Sequence, residues 1–535
     1  MSQIRIDSIL GGQSVMSNFS GSGQFRASLG IDPAQPIDDL DTATSTIASG
    51  FLRPAASQKI SGSTITSAPL WMIPNPKDAN VYVYDANGSA YTVDATMTTV
   101  TALSDGGSLS SAIGNGAEYY DNYIYFAKNT DIGRYGPLNG APAFNGTYWT
   151  GTLAKAALTN TTYPTSFKNN IQLPNHVLHR HSDGKLYIAD VVGNNGTISY
   201  IATTKTTVEG DTDNSSTASK ITMGYGLWPT AMENFGSDLA IALYEGNASN
   251  LRQARAKIAF WDTISTNFNT ITWVEFPDSL ITAMKNRNGN LYVVSGSYNA
   301  RGFRVSMFGG GYTFQEVYYS ETGEPCLPGA IDALLDRVLI GTHTTVPESD
   351  GCVYSTGLQK KALSNGMFNI MRATGGTSST SVTALCVADN NELGFMAPLI
   401  GWSQAGNGST GVSHGLDAQK TQYNNAPSVW WSGMYRIGRP FRITKIRIPL
   451  AQQIAANMTI TPTLYFDDGI SSQTLTAINN TNYPNSQRVA NFGVSNNTTN
   501  QAIGFNNFWL ELRWTGSALL TVGLPILIDY ELIPD

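Results

Sequence analysis

The sequence predicts an all-β protein: a seven-bladed β-propeller preceded by an extended N-terminal arm and followed by a C-terminal β-sandwich of jelly-roll-like type. Three observations predict it. A short alternating strand behind a polar turn recurs seven times between residues 81 and 395. Charged residues are only 13% of the chain, about half the usual share, and Gly, Ser, Thr and Asn take their place, a mixture suited to short strands and tight turns. After Gly438 the alternation lengthens into strands of a different kind.

Each strand centre reads as a half-buried strand. The seven are Val81-Tyr-Val83, Tyr123-Ile-Tyr125, Leu186-Tyr-Ile188, Leu239-Ala-Ile241, Leu291-Tyr-Val293, Val338-Leu-Ile340 and Leu393-Gly-Phe395. The turns before them, such as Asp121-Asn122, Ser182-Asp-Gly-Lys185, Arg287-Asn-Gly-Asn290 and Asp389-Asn-Asn-Glu392, carry the residues that tolerate a left-handed backbone. A second strand lies upstream, clearest in Thr230-Ala-Met-Glu-Asn234 and Thr282-Ala-Met-Lys-Asn286, so the repeat contains a hairpin. Spacings of 42 to 63 residues fit a four-stranded propeller blade, which hides its two faces by stacking on neighbours.

Residues 1–68 are expected to be an extended arm. Glycines at 11, 12, 21 and 23 interrupt it, and its apolar residues, among them Ile6, Ile9, Leu10, Phe19 and Phe25, are too dispersed for a core of their own. They read as anchors for contact with other subunits, mobile until bound. Residues 69–437 form the propeller and 438–535 the sandwich. In the sandwich Met458, Ile460, Leu464 and Phe466 share one strand face, Phe508, Leu510, Leu512 and Trp514 another, and residues 520–532 alternate to near the end.

A net charge of −7 and a pI near 5.3 give no electrostatic footing for specific nucleic-acid binding. No segment offers eighteen consecutive apolar residues, so no membrane insertion is expected, and the first residues lack the pattern of a cleaved signal. Cys326, Cys352 and Cys386 are too scattered for a disulfide framework or zinc site and read as small core residues.

No catalytic, cofactor-binding or metal site is expected. His176, His179 and His181 form the only histidine cluster, but a metal would need a further converging ligand, so they read as solvent-facing or hydrogen-bonded beside a turn. Phe466-Asp-Asp-Gly469 could offer oxygens to calcium, yet also describes a turn ending a strand; Asp38-Asp39 and Asp211-Thr-Asp213 read likewise. His179 and Asp467 are expected to be replaceable without loss of folding. Glycoside hydrolysis needs two carboxylates at a set separation, which a sequence does not show. Trp430 and Trp431, followed by Arg436, Arg439, Arg442, Lys445 and Arg447, could suit a sugar or nucleic acid by stacking and charge; the reading preferred is a buried seam with the cations on the wet face of a strand.

Ile6-Asp-Ser-Ile-Leu-Gly-Gly-Gln-Ser14, Ser28-Leu-Gly-Ile-Asp-Pro33, Gly116-Ala-Glu-Tyr-Tyr-Asp-Asn-Tyr-Ile-Tyr125, Arg134-Tyr-Gly-Pro-Leu138 and Gly438-Arg-Pro-Phe-Arg-Ile-Thr-Lys-Ile446 make the chain resemble the propeller-bearing tail proteins of tailed-phage virions. The resemblance implies a non-enzymatic virion component, assembled in the host cytoplasm, that forms a homo-oligomer and contacts other tail proteins, with host-surface glycans as a further partner. Ile6, Ile9, Leu10, Phe19, Phe25, Trp430 and Trp431 are then the expected interaction residues. The alternative is a propeller-fold carbohydrate-active enzyme or carbohydrate-binding adhesin.

Overall fold

The computed structural model describes residues 2–9, 12–13, 24–32, 52–104, 116–149, 177–202, 221–245, 255–297, 302–342, 351–357, 368–374, 380–420, 428–450, 454, 458–493 and 503–534, apart from short stretches inside these ranges. The chain forms two compact units. One comprises Lys59–Gly351 and Thr377–Ala418, the other Met1–Gln58, Cys352–Gly376 and Gln419–Asp535.

The first of these units is a β-propeller. Among the described residues, seven antiparallel hairpins succeed one another, each the inner part of its own sheet: 69–74 with 81–85, 117–120 with 123–127, 177–180 with 185–192, 227–235 with 238–245, 280–287 with 290–296, 331–334 with 337–341, and 380–390 with 395–404. We call them sheets one to seven. In sheets one to five, third and fourth strands follow in simple meander order.

Six of the predicted strand centres lie inside the second strand of their sheets. The seventh is displaced: Leu393 and Gly394 are still in the turn, because Asp389 and Asn390 pair with Met396 and Phe395 and carry the hairpin further. The Asn390 carbonyl accepts the Leu393 and Gly394 N–H groups at 3.0 and 2.8 Å, and Gly394 takes φ +72°. Asp121 and Asn122, at φ 45° and 66°, and Asn288 and Gly289, at 52° and 77°, have the paired positive φ of a turn that matches strand twist.

The upstream Thr-Ala motif marks a bulge. Ladder register slips past Thr230, Thr282 and Thr383, leaving each as the extra residue of its strand. Their hydroxyls face the carbonyls of Ala242, Val294 and Gly401 across the hairpin at 3.5, 3.5 and 3.3 Å. A bulge sharpens the local twist, and here it does so where each innermost strand begins.

Sheets four and five pack small against large. Sheet four offers Ala231, Ala240, Ala242 and Ala256 to Ile281, Met284, Leu291 and Val293 of sheet five. Its other face meets Tyr187, Ile198 and Met223 of sheet three with Leu239, Ile241 and the fully buried Trp261. Sheet seven repeats the pattern on sheet one, setting Ala384, Cys386, Ala388 and Ala418 against Met72, Val81, Val83 and Val93. Small facing large at sheets four and five and at sheets seven and one, and large interlocking with large at sheets three and four, fill the space between sheets at interior density, and each large side chain so buried contributes roughly 1.5–3 kcal/mol. The three cysteines are buried and free.

In the second unit two sheets lie face to face. One has the order 2–6, 526–532, 441–449, 489–493, and the other 471–474, 458–466, 507–516, 428–431, 27–29. Phe441 of the first sheet lies between Phe466 and Phe508 of the second, at centroid distances of 6.2 and 5.5 Å. All eight residues expected on the two apolar strand faces are buried. The last strand is shorter than its alternation suggested, running Ile526–Leu532.

The expected domain limits are corrected. The described parts of 1–68 do not stand apart as an arm. Ser2–Ile6 pairs with Ile526–Tyr530, and Ala27–Leu29 with Val429–Trp431. From Lys59 onward the segment belongs to the propeller unit, where Ile60 and Ile65 enter the core between sheets one and seven. The propeller unit ends at Ala418, and 428–436 carries sandwich strands. Dispersed apolar residues need no local core when their partners lie at the far end of the chain, and local periodicity carries no trace of such pairs.

Candidate functional site

The chemistry of the propeller unit gathers on its innermost strands. Glu118, His179, Glu233, Lys285 and Asp332 hold the same register in five consecutive sheets, opposite Tyr125, Tyr187, Ala240, Tyr292 and Leu339. Sheets one and seven place Ile73 and Cys386 there, opposite Tyr82 and Leu399. An arc of charged or protonatable groups therefore runs along five inner edges and closes on Ile73 and the buried Cys386 thiol.

Four of the five groups reach toward the following sheet. The backbone N–H groups of Tyr119 and Arg180 donate to Glu118, the former at 3.0 Å. His179 Nε2 lies 4.0 Å from Glu233 Oε1, beyond hydrogen-bond range. Lys285 Nζ sits 2.9 Å from Asp332 Oδ1, and Asp332 Oδ2 accepts the Val387 N–H at 2.8 Å. One residue further along, Asn234 Nδ2 donates to the Arg180 carbonyl at 3.3 Å and Asn286 Nδ2 to the Asn234 carbonyl at 2.7 Å. Glu233 and Asp332 also accept the N–H of their own next residues, at 3.0 and 2.8 Å. Inner edge strands have no further strand to bond, so these carboxylates satisfy donors that the fold leaves open.

The electrostatics follow from depth. Burial pushes Glu118 and Glu233 up to about 7, with Lys285 and the adjacent backbone N–H groups acting against the rise. Burial and then the Lys285 charge push His179 down to about 3. For Lys285 burial favours the neutral amine, but Asp332, Glu233 and Glu118 outweigh it and hold the ammonium above its ordinary range. His179 and Glu233 keep 13% and 12% side-chain exposure and Lys285 31%, so the arc retains contact with water. Two carboxyls poised near neutrality could exchange protons; the Lys285–Asp332–Val387 series ties three sheets together.

The residues singled out in the sequence fall elsewhere. Ile6, Ile9 and Phe25 are 6%, 1% and 1% exposed, which corrects their reading as surfaces offered to other subunits: their apolar area is taken by their own chain. Trp430 is 0% exposed, buried as its preferred reading had it and not offered to a partner. Phe25 packs on Trp430. Trp431 is half-buried, its Nε1–H donating to Glu511 Oε2 at 2.9 Å. The cations beyond it partly pair across the sandwich sheet, Arg442 with Glu531 and Arg447 with Asp529. Leu10, Phe19, His176, Asp38-Asp39 and Asp211-Thr-Asp213 lie outside the described residues.

His179 joins the arc and His181 is 3% exposed with Asp183 beside it, so neither is solvent-facing. Asp467 ends its strand as a turn residue, its carboxylate accepting the N–H groups of Phe505 and Asn506 at 3.0 and 2.8 Å. Among the described residues no group of three or more His, Cys, Asp or Glu is placed to hold a metal ion, and no helix is long and apolar enough to cross a membrane.

Sequence reasoning found the Thr-Ala-Met-x-Asn motif but not the meaning of x, which is Glu233 in one copy and Lys285 in the other. The signal was present in the pairing register: aligning hairpins on their turns brings Glu118, His179 and Asp332 to the same place.

No protein-family model matches the chain, and no curated protein matches it. Solved structures do. The chain is similar to the Pan2 WD40 domain of Neurospora crassa, at 10% identity over 70% of this chain and 98% of that one, with a TM-score of 0.39. It is similar to the RRP9 WD40 repeats at 10% identity, over 69% of this chain and 100% of that one, with a TM-score of 0.44. YCF48 bound to D1 peptide shares 9% identity over 68% of this chain and 96% of that one, TM-score 0.40. The likeness is one of propeller fold. It carries nothing about activity.

Proposed function

We propose that this chain is a non-enzymatic structural protein of a tailed-phage virion, a tail component whose seven-bladed propeller and sandwich serve as rigid modules. It works as a homo-oligomer in contact with other tail proteins, in particles assembled in the host cytoplasm, and host-surface glycans are its further partner. The observation that carries this reading is the use made of the inner-edge charges. Lys285, Asp332 and the Val387 N–H are engaged with one another from sheet to sheet, the behaviour of a frame rather than of groups held ready for a substrate. The five segments that resemble tail proteins point the same way. Mass spectrometry of purified particles tests it, with cryo-EM of the particle to place the chain: stoichiometric presence is expected, and absence from intact particles sinks the reading.

A second reading is favoured by one observation. Glu118 and Glu233 both stand near pH 7, the range useful for acid–base work on a glycoside. Under that reading the isolated monomer turns over glycans and Glu118→Gln and Glu233→Gln each abolish turnover. Under the structural reading wild type and variants are alike inert.

A further inference from the structure

One end of the sandwich unit is made of three turns that hold one another in place. The Asp467 carboxylate accepts the N–H groups of Phe505 and Asn506 at 3.0 and 2.8 Å, and the Asp468 N–H donates to Asn507 Oδ1 at 3.0 Å. The Asn506 carbonyl in turn accepts the N–H groups of Ile437 and Gly438 at 2.8 and 3.0 Å. From this base Phe505 stands out 67% exposed, and Ile470, just past the Asp467 turn, is 88% exposed. Ile437 is half-buried beside them. A ring presented from a fixed base loses little freedom on binding, and large apolar side chains exposed together mark a contact surface.

Charge is divided across this apolar centre. Phe508 pairs with Phe466 on one side and with Tyr435 on the other, so the segment that leads into it runs between two different turns. The turn after Phe466 carries Asp468, and the chain after Tyr435 carries Arg436 and Arg439, all three exposed. Phe505 therefore lies between an acidic side and a basic side, about 10 Å apart as two strand spacings. Arg442 and Arg447 are paired within their sheet, whereas among the described residues Arg436, Arg439 and Asp468 are in no ion pair. The Asp468 carboxylate takes a hydrogen bond from Asn507 Nδ2 at 3.2 Å and stays exposed. Opposite charges on the two sides of an apolar centre complement their own image under a two-fold rotation.

We propose that this tip docks a second copy of the chain about a two-fold axis beside Phe505, with Arg436 of each protomer on Asp468 of the partner subunit. The two Phe505 rings and the Ile470 side chains fill the centre, and each ion pair is made twice. A tip of this size makes a weak contact, with a Kd on the order of 100 µM. It gives the homo-oligomer of the proposed function a surface, and rests on that reading for its choice of partner.

Sedimentation equilibrium of the full chain, taken to about 500 µM to span such a Kd, should show monomer and dimer. Phe505→Ser, an exposed change that leaves the fold intact, should weaken association about thirtyfold or more, since it acts in both copies. Arg436→Glu and Asp468→Arg should each be monomeric alone, because both pairs then repel. An equimolar mixture of the two should dimerise, because both pairs are again of opposite sign. Asp468 has φ 59°, which Asn accepts readily, so Asp468→Asn removes the charge and keeps the turn; it should associate about tenfold more weakly than wild type. The proposal is overturned if the chain stays monomeric, if Phe505→Ser associates as wild type does, if the mixture of the two folded variants fails to dimerise, or if the species formed is larger than a dimer. Phe505-dependent binding of a monomeric chain to anionic phospholipid vesicles also overturns it and assigns the tip to a lipid surface. A monomeric chain present in purified particles sinks this contact and leaves the virion reading standing; a dimer that behaves as described but is absent from particles does the reverse.

Discussion

Phe25 packs against Trp430, with ring centroids 6.5 Å apart at a tilt of 50°. Both are fully buried, and the strands beside them pair, Ala27–Leu29 with Val429–Trp431. The early segment is thus a structural part of the sandwich unit. Phe25→Ala should destabilise that unit by about 3–5 kcal/mol, the usual cost of emptying an aromatic core position. Chemical denaturation of the isolated chain checks it, and a loss under about 1 kcal/mol would mean the pairing does not form in solution.

Lys285 and Asp332 are 31% and 21% exposed, so water screens part of their attraction. A double-mutant cycle with Lys285→Met and Asp332→Asn should give a coupling of about 1 kcal/mol. Independent, additive effects would show that the sheet-to-sheet contact contributes nothing.

The pH dependence has a definite sign. Glu118 and Glu233 stand at about 7 when folded, so the fold prefers their neutral forms. That stability is whole at acid pH and is lost as pH rises through about 7. His179, lowered to about 3, acts oppositely: its contribution is whole at neutral pH and lost as pH falls toward about 3. Glu233→Gln removes one carboxyl and keeps its shape. Its stability relative to wild type should improve on going from about pH 5 to pH 8, by on the order of 1 kcal/mol. An unchanged difference across that range would place Glu233 in ordinary solvent.

Ala242 is completely buried on the small face of sheet four. Ala242→Leu should cost about 1–3 kcal/mol by overpacking against sheet five. Thermal unfolding measures it, and a neutral result would mean that the sheets are not in close register.

Asp467→Ala removes the acceptor for the Phe505, Asn506 and Asn507 N–H groups. Water can take its place in part, so the loss should be about 1 kcal/mol, concentrated locally. Amide exchange at residues 505–507 should quicken while the rest of the sandwich is unchanged; a global change would show a wider role for this turn.

The propeller was legible because its signals are local. Asn288-Gly289 and Asp121-Asn122 declare their turns, and Leu239 and Ile241 sit at period two beside Met232. What was missed depended on distance along the chain. Ile6 and Phe25 look stranded until their partners, some 400–500 residues away, are known. The arc was missed for another reason. Its members are three carboxylates, an imidazole and an ammonium, so comparing residue types among repeats does not unite them all; only their common ladder position does.

Gln3 donates to Asp529 Oδ1 at 2.6 Å across a separation of 526 residues, and this bears on how the molecule is made. At ribosomal rates the strand Ser2–Ile6 waits roughly half a minute to two minutes for its partner to be translated. Throughout that interval its hydrogen-bonding edge is open to any other strand. The propeller unit lies between the two ends in translation order, and its meander sheets can zip up as they emerge. The sandwich is completed last, and until then the nascent chain carries an unpaired edge that a chaperone or a neighbouring nascent chain can capture.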